Sequence, residues 1–295
     1  MANQKVWMVT GSSRGLGRAL AEEILAQGDR LVATARKPED LAPLAEKYGD
    51  AVCAVSVDVR EPKQVEAAVE LAVKAFGRLD VLVNNAGYGF IGAFEEMTEE
   101  QFKGQIDTNF WGVVNATRAV LPVMRAQGSG HIFQITSIGG RAANPGLSGY
   151  HAAKFAVEGL SEALAGEVRP SGIKVCIVEP GGFRTDWAGS SMGFAKPMDA
   201  YKASVGGFRE FLRAGYRAPG DPKKAAQAIL QLAELPELPL RQPLGTDAAI
   251  LLKYNYEQSL AQLAQTSALA RSTDAEDADK SATEGILLKL QEALS

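Results

Sequence analysis

Tyr150 and Lys154 stand four residues apart, and Tyr150 lies thirteen residues beyond Ser137. On a helix, residues i and i+4 share a face, so an ammonium at 154 would sit against a phenol at 150. A free tyrosine has a pKa of about 10, and an opposite charge within reach lowers such a value by roughly 1–3 units. The pair could then exchange a proton near neutral pH. Far upstream, Thr10-Gly-Ser-Ser-Arg-Gly-Leu-Gly17 is a glycine-rich turn between an apolar strand pattern and a helical one. Its glycines, Gly11, Gly15 and Gly17, let the backbone turn sharply and approach a pyrophosphate at the positive end of the following helix. A Tyr-x-x-x-Lys spacing or a glycine turn is weak evidence by itself. Together, in this order, they point to nicotinamide-dependent carbonyl or alcohol chemistry.

Positioning these residues is the task of alternating elements. Apolar, β-branched runs at 6–10, 31–35, 52–57, 81–84, 132–137 and 175–179 read as strands. Helix-period stretches at about 15–28, 38–47, 62–76, 98–127 and 148–170 lie between them, the fourth opening with a capping box, Thr98-x-x-Gln101. This alternation predicts an α/β fold, a doubly wound parallel sheet covered on both faces, with ligands outside the carboxyl ends of the strands. Beyond Pro180 the pattern loosens. Residues 186–220 mix glycines with Trp187, Met192, Phe194, Met198, Tyr201, Phe208 and Phe211, which reads as a mobile apolar lid over a pocket. A helix from Asp221 to Leu235, a last strand at 238–241 and a helix over about 247–269 complete a single domain, residues 1–271. An acidic linker at 272–279 and a terminal amphipathic helix carrying Ile286, Leu287, Leu290 and Leu294 form a helical extension, residues 272–295.

Composition narrows the function. With 46% hydrophobic and 22% charged residues and no apolar run near eighteen residues, the chain has no membrane span. The first strand begins too close to Met1 for an export signal, which predicts a cytoplasmic protein. A net charge of −4 offers no electrostatic case for nucleic acid, so the partner expected is a small molecule. Two histidines and two cysteines supply no metal ligand set. Cys53 and Cys176 read as buried, inert thiols on the third and sixth strands, too far apart to bridge. His131 and His151 read as structural.

The turn residues Gly11, Ser13, Arg14, Gly15, Leu16 and Gly17 are candidates for the dinucleotide phosphates. At the end of the second strand, where NAD-selective proteins place a carboxylate, the chain reads Ala35-Arg36-Lys37. Arg36 and Arg14 could pair with a 2′-phosphate, which favours NADP over NAD as cofactor. Asp58 and Val59 close the third strand, where a carboxylate could meet the adenine amino group, and Asn85, Ala86 and Gly87 close the fourth.

Thr10-Gly-x-x-x-Gly-x-Gly17, Asn84-Asn-Ala-Gly87, Asn109, Ser137, Tyr150-x-x-x-Lys154 and Pro180-Gly181 resemble, in order and spacing, the short-chain dehydrogenase/reductases of the compact branch. The resemblance covers about residues 5–243. Pro-Gly-Gly-Phe-Arg-Thr185 and the long tail are loosely similar to NADP-linked reductases grouped with 17β-hydroxysteroid dehydrogenases. The resemblance implies a Rossmann fold with Tyr150 as general acid in reduction and base in oxidation. Lys154 would tune Tyr150 and hold the nicotinamide ribose, Ser137 would bond the substrate oxygen, and Asn109 would anchor a water relay. Thr185 would meet the carboxamide, Pro180 and Gly181 would shape its pocket, and copies would pair as a homo-oligomer through the helices holding Asn109 and Tyr150. Structural alternatives stand beside three of these: Ser137 capping a turn, Asn109 kinking a helix, Thr185 capping Asp186. The leading expectation is an NADP-dependent oxidoreductase acting on a ketone, aldehyde or secondary alcohol with an apolar flank. An NADP-binding regulatory protein, an NAD-dependent alcohol dehydrogenase and an epimerase or dehydratase with a tightly held cofactor are the competing classes.

Overall fold

The computed structural model describes residues 4–189, 191–275, 277, 285, 286, 288 and 289. Among the described residues, seven strands form one parallel sheet: β1 (Val6–Val9), β2 (Arg30–Ala35), β3 (Val52–Ser56), β4 (Val81–Asn84), β6 (Gly130–Ile135), β7 (Ile173–Pro180) and β9 (Arg241–Leu244). Their order across the sheet is β3-β2-β1-β4-β6-β7-β9. Every pairing in it is parallel, as the strand-helix alternation predicts. A second, two-stranded pairing joins β5 (Phe90–Ile91) to β8 (Gly193–Phe194), and α7 (Gly207–Arg213) follows β8 in the chain.

Two apolar layers cover the main sheet. On one face α1 (Gly15–Ala26), α2 (Ala42–Tyr48) and α8 (Pro222–Leu232) bury Leu20, Ile24, Leu44 and Ile229 against Trp7 and Phe133, whose rings stack 6.5 Å apart. On the other, α3 (Pro62–Phe76), α5 (Gly112–Gln127) and α6 (Ser148–Val168) bury Val65, Val69, Val120, Met124 and Leu164 against Met8, Leu82 and Ile132. Local chemistry ends these helices. Pro62 starts α3 where its missing N–H costs nothing, and Gly77 closes it at φ 78°, a left-handed conformation suited to glycine. The expected capping box holds α4 (Glu99–Ile106): Gln101 N donates to Thr98 Oγ1 at 3.3 Å, and Thr98 N donates to Gln101 Oε1 at 2.9 Å.

The chain winds outward from β1 to β3, then returns to place β4 on the other side of β1. That reversal opens a crevice at the carboxyl ends of β1 and β4, where such sheets bind ligands. Both glycine-bearing turns emerge there.

Three local expectations shift. The last strand is Arg241–Leu244 rather than 238–241, because β9 is an edge strand that tolerates Pro243, whose missing N–H leaves no ladder bond unmade. The helix expected over 98–127 is continuous but contains a π-turn, Asp107–Trp111. Cys53 is only half-buried, since β3 is the opposite edge, whereas Cys176 is fully buried and its thiol is pushed up to about 12. His131 lies in β6, where burial, aided by Lys174 and Lys5, pushes its imidazole down to about 4.

By its internal contacts the chain divides into two units, residues 1–249 and 250–295. Helix α9 (Thr246–Arg271) begins in the first and continues in the second, where it exposes Ile250, Tyr254, Leu260, Leu263 and Leu269. Of the terminal stripe, Ile286 is exposed, while Leu287, Leu290 and Leu294 lie outside the described residues. No helix among the described residues is long and apolar enough to cross a membrane.

Candidate active site

The glycine turn is built around missing side chains. Gly11 and Gly15 hold φ of 71° and 58°, the left-handed region that L side chains rarely adopt. A Cβ on Gly17 would meet the Gly11 carbonyl oxygen at 2.2 Å and Asn85 Nδ2 at 2.4 Å. Helix α1 follows with no side chain capping its N-terminus and no acidic residue in its first turn, so its amide dipoles face the turn uncancelled. Thr185, from beyond β7, comes to 3.3 Å from where a Gly15 Cβ would lie. A cradle of bare backbone at an uncapped helix end fits a pyrophosphate.

Asn85 clamps this turn to the end of β4, its Nδ2 donating to the Thr10 and Gly11 carbonyls at 2.9 and 3.0 Å. Thr10 Oγ1 in turn accepts from the backbone N–H groups of Asn85 (2.9 Å) and Ala86 (3.0 Å). Arg14 and Arg36 are exposed, and Ser13 and Leu16 are half-buried beside them. Arg60, which no motif in the sequence marks, holds the Asp58 carboxylate bidentately (Nε–Oδ1 3.0 Å, Nη2–Oδ2 2.5 Å), which holds its pKa below the usual value. The Val59 carbonyl accepts from Asn115 Nδ2 at 2.9 Å. Past Pro180, Gly181 N donates to the Leu244 carbonyl (2.9 Å) and Gly182 N to Asp247 Oδ2 (2.7 Å), so the start of α9 fixes this backbone.

The proton-transfer candidates meet at the ends of β4 and β6. Tyr150 and Lys154 lie one turn apart on α6, both buried, with the ammonium 5.7 Å from the phenol ring centroid. Ser137, two residues past the end of β6, accepts from Gly139 N at 3.0 Å and hydrogen-bonds the Tyr150 phenol. Lys154 Nζ donates to the Ile135 carbonyl at 2.8 Å and lies 3.7 Å from where a Gly87 Cβ would be. Asn109 sits buried in the π-turn, bridging Tyr88: its Oδ1 accepts from the Tyr88 N–H and its Nδ2 donates to the Tyr88 carbonyl, both at 3.0 Å. Single π-turns inside α-helices are frequent at functional sites. Ser137, Asn109, Gly87, Tyr150 and Lys154 thus converge from four segments.

The electrostatics correct one expectation. Lys154 does not bring the Tyr150 phenol down: burial pushes it up to about 12, opposed only by the Ser137 hydrogen bond. The ammonium is committed to the Ile135 carbonyl, and burial drives it down to about 8, with Glu158 pulling the other way. Desolvation disfavours both charged forms.

Residues of the 186–220 segment pack over this centre. The Trp187 ring meets Tyr150 edge-on at 5.3 Å, and Met192, Phe194, Val205 and Phe208 cluster with Ile91 and Leu147 around it. Met198 and Phe211 instead point outward, 41% and 50% exposed. Glu96, buried and unremarked in the sequence, fastens this segment: its Oε1 accepts from Met198 N (2.8 Å), and its Oε2 from Ala93 N (2.8 Å) and Arg209 Nη2 (2.5 Å). The other unforeseen partner, the Ile135 carbonyl, is backbone and leaves no trace in residue types. His151, as expected, is structural: its Nδ1 meets the Gly139 carbonyl at 2.8 Å, pinning the loop after Ser137.

Comparison with known proteins identifies the family. The short chain dehydrogenase family matches residues 5–193. Oxidoreductase BOA17 of Botryotinia fuckeliana is 48% identical, over 83% of this chain and 90% of its own. A short-chain dehydrogenase from Streptomyces avermitilis superposes with a TM-score of 0.87 at 42% identity, covering 93% of this chain and 100% of its own. A short chain dehydrogenase/reductase from Burkholderia phymatum, in complex with NAD, gives 0.76 at 25% identity, covering 88% and 95%. Glycine cradle, β4 turn and the Ser137–Tyr150–Lys154 cluster stand on a sheet shared with these relatives: the chain belongs to the short chain dehydrogenase family of oxidoreductases.

Proposed function

We propose that this oxidoreductase reduces a ketone or aldehyde with an apolar flank, using NADPH, and that Tyr150 delivers the proton. The observation that carries the proposal is the convergence of Ser137, Tyr150 and Lys154 beside Gly87, at the mouth of the glycine cradle. When bound, a nicotinamide cofactor supplies the hydride. The chain's own residues do the rest. The phenol is held in its acid form across neutral pH by burial, the form a carbonyl reduction requires of its proton donor. The Ser137 and Tyr150 hydroxyls together would bond the carbonyl oxygen and stabilise the charge developing there. Lys154, against Gly87, is placed to hold the nicotinamide ribose, and the π-turn at Asn109 to lead a proton toward solvent. Trp187, Met192 and Phe194 exclude water and form the apolar wall that receives the substrate's flank.

NADP selectivity rests on exposed Arg36 and Arg14, with no acid at the end of β2 before Glu39. NAD is the second reading, favoured by the cofactor of the Burkholderia phymatum neighbour. Trp111 and Phe155, 48% and 44% exposed on the segments flanking Asn109 and following Tyr150, support pairing between copies; a monomeric mass by light scattering would refute it. The functional test is oxidation of NADPH and NADH against a panel of aliphatic and aryl ketones and aldehydes. A 2′-phosphate bonded by Arg36 is worth about 1.5–3 kcal/mol, so kcat/KM should favour NADPH by roughly 10–150-fold and lose most of that preference in Arg36→Ala. An NADH preference overturns the cofactor assignment, and no oxidation with any carbonyl overturns the reductase reading.

A further inference from the structure

One turn beyond Lys154, α6 carries Glu158, 4% exposed. The two side chains grip consecutive residues at the end of β6: Lys154 Nζ donates to the Ile135 carbonyl at 2.8 Å, and Thr136 Oγ1 donates to Glu158 Oε1 at 2.7 Å. Ser137 comes next. Thr136 is itself tied to β7, its N–H donating to the Val178 carbonyl at 2.8 Å, so the grip is on a fixed part of the sheet. The backbone after Ser137 also leans on the carboxylate: a Cβ on Gly140 would lie 3.0 Å from Glu158 Cγ and from Oε1.

We propose that Glu158 is a positioning residue for the Tyr150–Lys154 pair, fixing α6 to the strand end that carries Ser137 and supplying the buried negative charge that balances the Lys154 ammonium. This rests on the reductase reading of that pair. The charged groups around Glu158 make its role specific. From α6 itself come Lys154 and Glu162; from the segment after β6, Arg141 at 3.7 Å; from β9, Arg241, whose Nε lies 3.2 Å from Glu158 Oε2 and whose Nη2 meets Glu162 at 2.7 Å; and from β7, Glu179. Glu179, 1% exposed, is pushed up to about 7 by burial and by Glu158, so it is a poor substitute anion. Glu158 favours the charged form of Lys154 against the burial that opposes it.

The test uses the full chain with Glu158→Gln, which keeps an acceptor for Thr136 and removes the charge. Carbon-13 labelling of lysine Cε, with the Lys154 resonance assigned by its loss in Lys154→Arg, reads the protonation of Lys154 without any assay of turnover. Its titration midpoint should fall by about one pH unit, as expected for loss of a neighbouring opposite charge. The alkaline limb of kcat/KM should fall with it while KM stays put. An unmoved Lys154 midpoint overturns the proposal. A midpoint that falls while the kcat/KM profile stays in place supports the coupling and instead removes Lys154 from turnover, so the two readings fail separately. Thr136→Val supplies the second variant, keeping the charge and deleting the grip. It should lower kcat about tenfold through a displaced Ser137, with the midpoint unchanged; parental kcat overturns the positioning role.

Discussion

Tyr150→Phe removes one oxygen from the centre of the site and leaves everything else that the ring touches. The ring keeps its edge-on contact with Trp187 at 5.3 Å and its place 5.7 Å from the Lys154 ammonium. What disappears is the acid proton and the hydrogen bond with Ser137. The two losses differ in size. One hydrogen bond of this kind contributes about 0.5–1.5 kcal/mol to folding, and part returns because a buried phenol is exchanged for a benzene ring that needs no partner. For a body of this size, 1 kcal/mol moves Tm by about 2–4 °C. Loss of a positioned general acid costs about 10²–10⁴ in rate, which at 1.36 kcal/mol per decade is roughly 2.7–5.4 kcal/mol of barrier. The variant should therefore melt within a few degrees of the parent, bind the dinucleotide as before, and lose two to four decades of kcat/KM, mostly in kcat. Thermal melts, dinucleotide titration and steady-state kinetics on one preparation check all three. A kcat/KM within about threefold of the parent would refute the reasoning, because the proposal has Tyr150 deliver the proton and Ser137 only bond the carbonyl oxygen.

Gly17→Ala places a methyl 2.2 Å from the Gly11 carbonyl oxygen and 2.4 Å from Asn85 Nδ2. Forced overpacking of this kind costs about 1–3 kcal/mol; because relief requires opening the cradle, dinucleotide affinity should drop at least tenfold by calorimetry, and unchanged affinity would argue against the turn as the phosphate site. His131 predicts an acid-labile fold. Its native pKa of about 4 lies below its ordinary value, so between pH 6.5 and 4 the unfolded chain takes up a proton that the native state refuses, and stability falls as pH falls through that window. In His131→Leu, urea midpoints measured across those pH values should decline less than in the parent; parallel curves would contradict the assignment.

Much of this protein can be read from its residues in order. Strand-helix alternation specifies a parallel sheet with helices on both faces because a β-branched run and an amphipathic helix can each bury their apolar surface in few ways. The glycine turn and the Tyr150–Lys154 spacing are local, and local geometry is set by φ preference and by the helical repeat; both survive into the structure nearly unchanged. The capping box at Thr98 and the start of α3 at Pro62 are legible for the same reason. Positions of strand ends at the sheet edges are less so, since Pro243 is acceptable in β9 only because no further strand needs its N–H.

The tertiary structure alone decides what depends on burial and on atoms that side-chain identity does not announce. Spacing says that Lys154 can approach Tyr150; only the packed site shows the ammonium committed to the Ile135 carbonyl and the phenol driven up by desolvation instead of down by charge. Glu96 reads as one more surface acid in an acidic stretch, yet three donors from the 186–220 segment and its neighbours converge on it because β5 and β8, a hundred residues apart in sequence, pair. Glu158 is one more glutamate at helical spacing until β6, β7 and β9 surround it. Sequence determines which groups are available and which neighbours along the chain they face. Desolvation and charge balance are sums over everything that folding brings near, and those sums exist only once the chain has closed on itself.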